Sequence, residues 1–222
     1  MSTAAPTASA MPRRARTQAQ KTARRQAILD VADAYFRESG FEAFSMAELA
    51  KRAGVAKGTL YLYFETREEV LLALYVELLD DWRQAFCVGL AGALDDEAFV
   101  RLFFDTSRAD PAFLTVVSRM DSVIEHNVSR EKLIESKRAL AATLERIFDE
   151  AAGSLRLPPE KAAETIRALA FLVLGASQLD KGPALEEMNL PEDVRAFATS
   201  FSSESIFLPN ALRIIAGIRS GN

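Results

Sequence analysis

The chain of 222 residues has a single cysteine, Cys87, and a single histidine, His126. One cysteine excludes an internal disulfide framework and a thiolate zinc cluster, and one histidine excludes a multi-histidine metal centre. The same scarcity weighs against a helical enzyme, because no nucleophile, base and orienting group form a recognisable constellation around either residue. No catalytic residue, metal or cofactor is therefore expected. Long hydrophobic runs are missing as well: the best candidate, Ala168 to Ala176, is nine residues, where a membrane span needs roughly 18 or more. With no secretory apolar segment either, the expectation is a cytoplasmic protein without a membrane partner. Acids are absent from residues 1 to 22, which carry Arg13, Arg14, Arg16 and Lys21 among Ala, Ser, Thr and Pro. Such a segment cannot pack a core and reads as a flexible basic arm, with an organellar transit peptide as the alternative.

What is present is the composition of a folded domain. Hydrophobic residues are 49% and charged residues 26%, which fits one large domain, or a small one joined to a medium one. The net charge of −4 hides an asymmetry. Through Phe64 ten Lys/Arg stand against five acids, and beyond it seventeen stand against twenty-six, a net of +5 against −9. A basic end on an acidic body suits a protein of which one part meets a polyanion, because Lys/Arg neutralisation of phosphate supplies most non-specific affinity for DNA.

The hydrophobic period is helical throughout. Ile28, Ala32 and Tyr35 or Phe36 predict a helix over roughly 23 to 39, ended by Gly40. Ser45-Met46-Ala47-Glu48 reads as a capping box opening a two-turn helix at 46, and Gly54 supplies the left-handed residue of a tight turn. A third short helix follows within residues 56 to 64, and Thr66-Arg67-Glu68-Glu69 is a second capping box that opens a long helix to about 88, ended near Gly89 and Gly92. Beyond it, helices are expected around Phe99 to Phe103, from Pro111 through Val117, Met120 and Ile124, after Ser129, over 160 to 179 up to Lys181-Gly182-Pro183, and over 191 to 206. Pro209 either kinks the last of these or opens a final short helix with Leu212 and Ile215. The helix over 160 to 179 is apolar on more than one face, as suits one placed between its own core and a partner.

Two short helices joined at a glycine, the second basic and aromatic, describe a helix-turn-helix whose second helix enters a major groove. The run from Arg24 to Leu71, and above all Ala53-Gly54-Val55-Ala56-Lys57-Gly58-Thr59-Leu60-Tyr61-Leu62-Tyr63-Phe64, closely resembles the DNA-binding domain of TetR-family transcriptional regulators. Ala56 departs from the serine common at that place. The resemblance implies an all-α fold of about nine to ten helices: an N-terminal three-helix DNA-binding domain over 23 to 68 and a C-terminal ligand-binding and dimerisation domain over 69 to 222.

For DNA, Gly58 lets the backbone approach, Lys57 pairs with a phosphate, Thr59 meets phosphate or a thymine methyl, and Tyr61 reaches base edges. Tyr63, Ser45 and Arg67 are placed as phosphate contacts, with a half-buried structural aromatic as the other reading of Tyr63. The resemblance further implies a homodimer on a palindromic operator in double-stranded DNA, through a four-helix bundle mapped onto 160 to 179 and 191 to 206. Ile166, Leu169, Val173, Phe197 and Phe201 are the candidate interface positions. It also implies a small-molecule effector of unknown identity that releases the DNA of a repressor, with Trp82, Phe86, Phe103, Met120, His126 and Gln178 as candidate liners. The alternative is a dimeric DNA-binding regulator with no effector.

Overall fold

The computed structural model describes residues 17–90, 92, 94–120, 124–179 and 190–221. Arg13, Arg14 and Arg16 of the basic arm, and the stop at Lys181-Gly182-Pro183, lie outside the described residues. Among those described the chain is all-helical and without strands. The helices are α1 (Gln18–Ala43), α2 (Met46–Arg52), α3 (Lys57–Leu60), α4 (Arg67–Gly89), α5 (Asp96–Ala109), α6 (Pro111–Val117), α7 (Arg130–Leu155), α8 (Pro159–Ala176), α9 (Glu192–Ser200) and α10 (Ser203–Ser220). A 3₁₀ turn, Glu125–Asn127, precedes α7.

The first helix starts five residues before its expected place. Thr17 caps it in a complete capping box, its hydroxyl accepting from the Gln20 amide at 3.3 Å while the Gln20 side chain accepts from the Thr17 amide at 3.2 Å. Residues 18 to 22 are thus helical, and the arm boundary at 22 moves back to Thr17. At the other end Gly40 takes φ 72°, ψ −178°, a conformation essentially reserved for glycine, and breaks the helix as expected. One further turn, Phe41 to Ala43, then leads into α2. Ile28, Leu29, Ala32, Tyr35 and Phe36 point inward from α1 and are buried with Phe44, Leu49, Leu60 and Phe64 in the N-terminal part of a hydrophobic core that continues into the body.

The long α4 runs from this N-terminal unit into the body, touching α1 on one side and α5, α6 and α7 on others. Gly89, expected to mark its end, does so for a packing reason as well: a Cβ there would overlap the Leu102 side chain of α5. The body closes through α7 on α8, α8 on α10, and α10 on α5. Two expectations change here. The helix begun at Pro111 stops at Val117, leaving Met120 and Ile124 buried outside any α-helix. The helix expected over 191 to 206 is two helices, because Ser202 caps a new one by accepting from the Ser205 amide at 3.2 Å. Pro209 lies inside α10, so it does not open a final short helix. Phe207, Ala211, Ile215 and Ile218 form its buried stripe.

Candidate nucleic-acid interface

The helix-turn-helix is built by local chemistry that reads directly from the chain. Ser45 caps α2, its hydroxyl accepting from the Glu48 amide at 3.4 Å. Glu48 does not reach back to complete the box; its carboxylate takes Arg52 at 3.1 Å and Lys51 at 3.4 Å instead. The turn after α2 is a Schellman motif: the Val55 amide donates to the Ala50 carbonyl at 3.0 Å and the Gly54 amide to Lys51 at 3.2 Å, with Gly54 at φ 63°. Tyr35 fixes the chain's exit from α1 toward α2 by donating to the Ala43 carbonyl at 2.8 Å and stacking on Phe44 at 4.9 Å. The Arg52 guanidinium covers the other face of the unit, 4.3 Å from the Tyr35 ring centre, and hydrogen bonding to it holds the Glu38 and Glu48 carboxyls below the usual carboxylate range.

This frame leaves α3 as a short platform anchored by buried Leu60 and Phe64. The regular helix is Lys57–Leu60 alone, and Tyr61 to Tyr63 continue as turn, so the third helix is shorter than expected. Lys57, Gly58 and Tyr61 are exposed and Thr59 is half-buried. Tyr61 keeps 41% of its surface, with the Lys57 ammonium 6.0 Å from its ring centre. A Cβ on Gly58 would meet nothing within 4 Å, and its φ is not positive. The folded chain does not require glycine there, so the missing side chain leaves room for something outside the chain. Tyr63 is half-buried and packs on the core, as its reading as a half-buried structural aromatic expects.

Arg67 makes several contacts within the chain. Its Nη1 donates toward the Phe44 carbonyl at 3.3 Å and the Phe41 carbonyl at 3.5 Å, its Nε pairs with Glu68 at 3.2 Å, and its plane lies 4.9 Å from the Phe41 ring centre. These contacts tie α4 to the end of α1 and the start of the α1–α2 connection, while the side chain stays partly exposed. Thr66 caps α4 by accepting from the Glu69 amide at 3.1 Å, whereas the Glu69 carboxylate takes the Glu65 amide at 2.8 Å, so this box too is only half of one.

The six candidate effector contacts are not brought together. Trp82, Phe86, Phe103 and Met120 are buried in the body. The three rings join Phe99, Phe104, Phe113 and Phe207 in a continuous aromatic cluster with neighbouring centres 5.0 to 6.1 Å apart. His126 stands exposed in the middle of the 3₁₀ turn, and Gln178 is exposed just past the end of α8; neither is buried with the cluster. Inside the cluster the Trp82 indole Nε1 is buried with no hydrogen-bond partner among the described residues.

Of the five candidate interface residues, Ile166, Leu169 and Val173 are buried within the subunit. Together with Ala162 and Ala176 they form the inner stripe of α8, and they are core. The outer face of the same helix carries Phe171, 74% exposed, which helical spacing alone did not single out. Phe197 and Phe201 are exposed, their rings 4.9 Å apart.

Sequence reasoning also missed residues around α3. Leu62 is 83% exposed in the turn beside Tyr61. An open cleft of about 680 Å³ lies between the first turns of α1, the α3 turn and the start of α7, with Thr59, Tyr61 and Tyr63 in its wall. Its cations, Lys21, Arg24, Arg25 and Lys132, come from two distant parts of the chain. The signal available in the sequence was the lack of any acid in the first turn of α1.

Comparison with known proteins agrees with this geometry. Residues 28–74 match the family model described as bacterial regulatory proteins, tetR family, and residues 72–218 match the model for a tetracyclin repressor-like C-terminal domain. The chain is 40% identical over 58 residues to a fatty acid metabolism regulator protein of Bacillus subtilis, covering 26% of this chain and 30% of that protein. It is 29% identical over 113 residues to the transcriptional repressor KstR2 of Rhodococcus jostii, covering 50% and 55%. The matched segments thus span about a third to a half of these relatives' lengths. In fold, it superposes on a possible TetR family transcriptional regulator of Streptomyces coelicolor with a TM-score of 0.58 at 16% identity, covering 89% of this chain and all of that one. The fatty acid degradation regulator FadR of Bacillus halodurans gives 0.52 at 18% identity, covering 89% and 98%.

Proposed function

Because the chain belongs to the TetR family of bacterial helix-turn-helix transcriptional regulators, we propose that it is a homodimeric repressor released from a near-palindromic operator by a small molecule. The observation that carries this reading is the outward group of Lys57, Gly58 and Tyr61 on a platform anchored by Leu60 and Phe64: a cation for phosphate, an open approach, and an aromatic hydroxyl for base edges. The reader runs from the α1 cap at Thr17 to residue 68, and the rest of the chain is the body that dimerises. One three-helix reader makes few base contacts. Two of them, with half-sites about one helical turn or ~34 Å apart, supply the specificity.

Dimerisation is supported by the exposed apolar side chains of α8 and the α9 region. Phe171, Val194, Phe197 and Phe201 are all out of the core. Exposed apolar side chains mark an interaction surface where they adjoin one another, as the rings of Phe197 and Phe201 do. The effector is supported by the aromatic cluster: a dry environment with one unpaired donor, the Trp82 indole N–H, suits an apolar molecule bearing one acceptor. Relatives named for fatty acid metabolism and degradation are in keeping with such a ligand. The tight spacing of the rings favours a second reading, a dimeric regulator whose body binds no effector.

A thermal-shift screen of fatty acids and other apolar acceptor-bearing compounds, paired with operator release, separates the two. A ligand at 100 times its dissociation constant adds about 2.7 kcal/mol of stability, and it must prefer the DNA-incompetent state to release the operator. A hit that stabilises and releases supports the repressor with effector. A broad screen with neither effect supports the second reading.

A further inference from the structure

We propose that Lys132, in the first turn of α7, is a contact to the operator backbone, so that the body itself grips DNA beside the reader; this rests on the DNA-reading function proposed above. The cleft of about 680 Å³ beside α3 is lined by Thr59, Tyr61 and Tyr63 on one wall and by Lys132 on another. A duplex seated on Tyr61 therefore runs its backbone past the cleft mouth.

The groups inside suit a phosphodiester. Lys21, Arg24 and Arg25 enter from α1, whose first turn has no acid. The Arg24 Nε is buried with no hydrogen-bond partner among the described residues, a donor waiting for an acceptor. Arg25 lies over the Phe64 ring at 4.6 Å, which fixes its plane. Two acids share the cleft, Glu65 and Glu69, but the Glu69 carboxylate is buried and occupied by the Glu65 amide. Lys132 is paired with Glu135 at 2.8 Å and is 45% exposed. An exposed pair of this kind holds weakly, so the ammonium can exchange to a phosphate. Because Lys132 belongs to α7, operator affinity then responds directly to the position of a body helix relative to α1 and α3.

The test is operator binding by fluorescence anisotropy as a function of salt, on a duplex selected by the wild-type full-length chain. Lys132→Gln is compared with Lys132→Arg and with Lys137→Gln, which removes the same charge from the same helix outside the cleft, where Lys137 pairs with Glu125. Lys132→Gln is expected to weaken binding about 3- to 10-fold at ~0.15 M salt for all duplexes alike. It should also flatten the slope of log K against log salt by about 0.9 for each phosphate left unneutralised, roughly two for a dimer. Lys132→Arg restores the slope, and Lys137→Gln stays within about twofold of wild type. A Lys132→Gln protein that behaves like Lys137→Gln while the wild type binds overturns this inference alone. A wild type that binds no duplex overturns the DNA reading with it. Pyrophosphate titrated into the protein without DNA is the remaining arm: Lys132-dependent thermal stabilisation together with an unchanged operator slope would place a free phosphate compound in the cleft and overturn the backbone assignment.

Discussion

Two surfaces of the molecule expose opposite chemistry. Around α3 the surface is Lys57, Gly58, Tyr61 and a cleft of cations, while around α8 and α9 it is Phe171, Val194, Phe197 and Phe201. A charged and hydrogen-bonding surface suits a hydrated polyanion, and an aromatic one suits a partner that buries it from water. A third environment is the aromatic cluster, whose rings are buried from solvent. The difference teaches that one chain of modest length can carry three chemically distinct environments, joined through α4, which touches α1, α5, α6 and α7, and through the packing of α8 on α7 and α10.

The comparison can be broken first at its middle. Phe103→Ala removes a ring packed between Trp82, Phe86 and Phe207 and is expected to cost about 3–5 kcal/mol of stability by denaturant titration. A cost below about 1 kcal/mol would show the cluster to be loosely packed already. Next comes the apolar end. Phe171→Asp combined with Phe197→Asp is expected to turn a dimer into a monomer by sedimentation and to weaken operator binding on the order of 100-fold, about 3 kcal/mol, with helicity unchanged because both side chains are exposed. Monomeric wild-type protein would remove the basis for that assignment.

At the polar end the expected effects are smaller and separable. Tyr61→Ala should cost about 1–3 kcal/mol of operator binding and relax base preference, whereas Lys57→Ala should weaken all sequences alike and flatten the salt slope by about one per subunit. Competition binding against scrambled duplexes distinguishes them. The smallest effect concerns Glu77 on α4, whose carboxyl is pushed above its ordinary range by burial, an effect only partly countered by Gln26, which donates to it at 2.7 Å. A carboxyl that holds its proton more tightly when folded weakens the fold above its unfolded pKa. Glu77→Gln should therefore raise the melting temperature slightly at pH 7, with the gain vanishing as pH falls below about 4.5, the unperturbed carboxyl value. A gain that persists at low pH would point to packing as its cause.

The reader was more legible in the sequence than the body, for physical reasons. Its structure rests on local signals within a few residues: Ser45 and Thr66 as caps, Gly54 at positive φ, Gly40 as a break. Even so, neither Glu48 nor Glu69 completes its box, because Arg52 and the Glu65 amide offer closer partners. The intramolecular partners of Arg67, the carbonyls of Phe41 and Phe44, are set by tertiary contact and leave no trace in spacing. In the body, periodicity found α8 and its two apolar faces without telling them apart. Ile166, Leu169 and Val173 went inside and Phe171 outside, and only packing against α7 and α10 decides that. The cleft joins residues more than a hundred positions apart, Lys21 and Lys132, which no local pattern reveals.

The central claim is that the surface around Tyr61 reads base sequence in a symmetric assembly. In vitro selection from random duplex DNA, run in parallel with wild-type protein and Tyr61→Ala, addresses it most directly. The account predicts that wild type enriches a palindrome with half-sites about one turn or more apart and that Tyr61→Ala enriches nothing or a degraded version of it. Equal enrichment of the same site by both proteins, or of no site by the wild type, would contradict it.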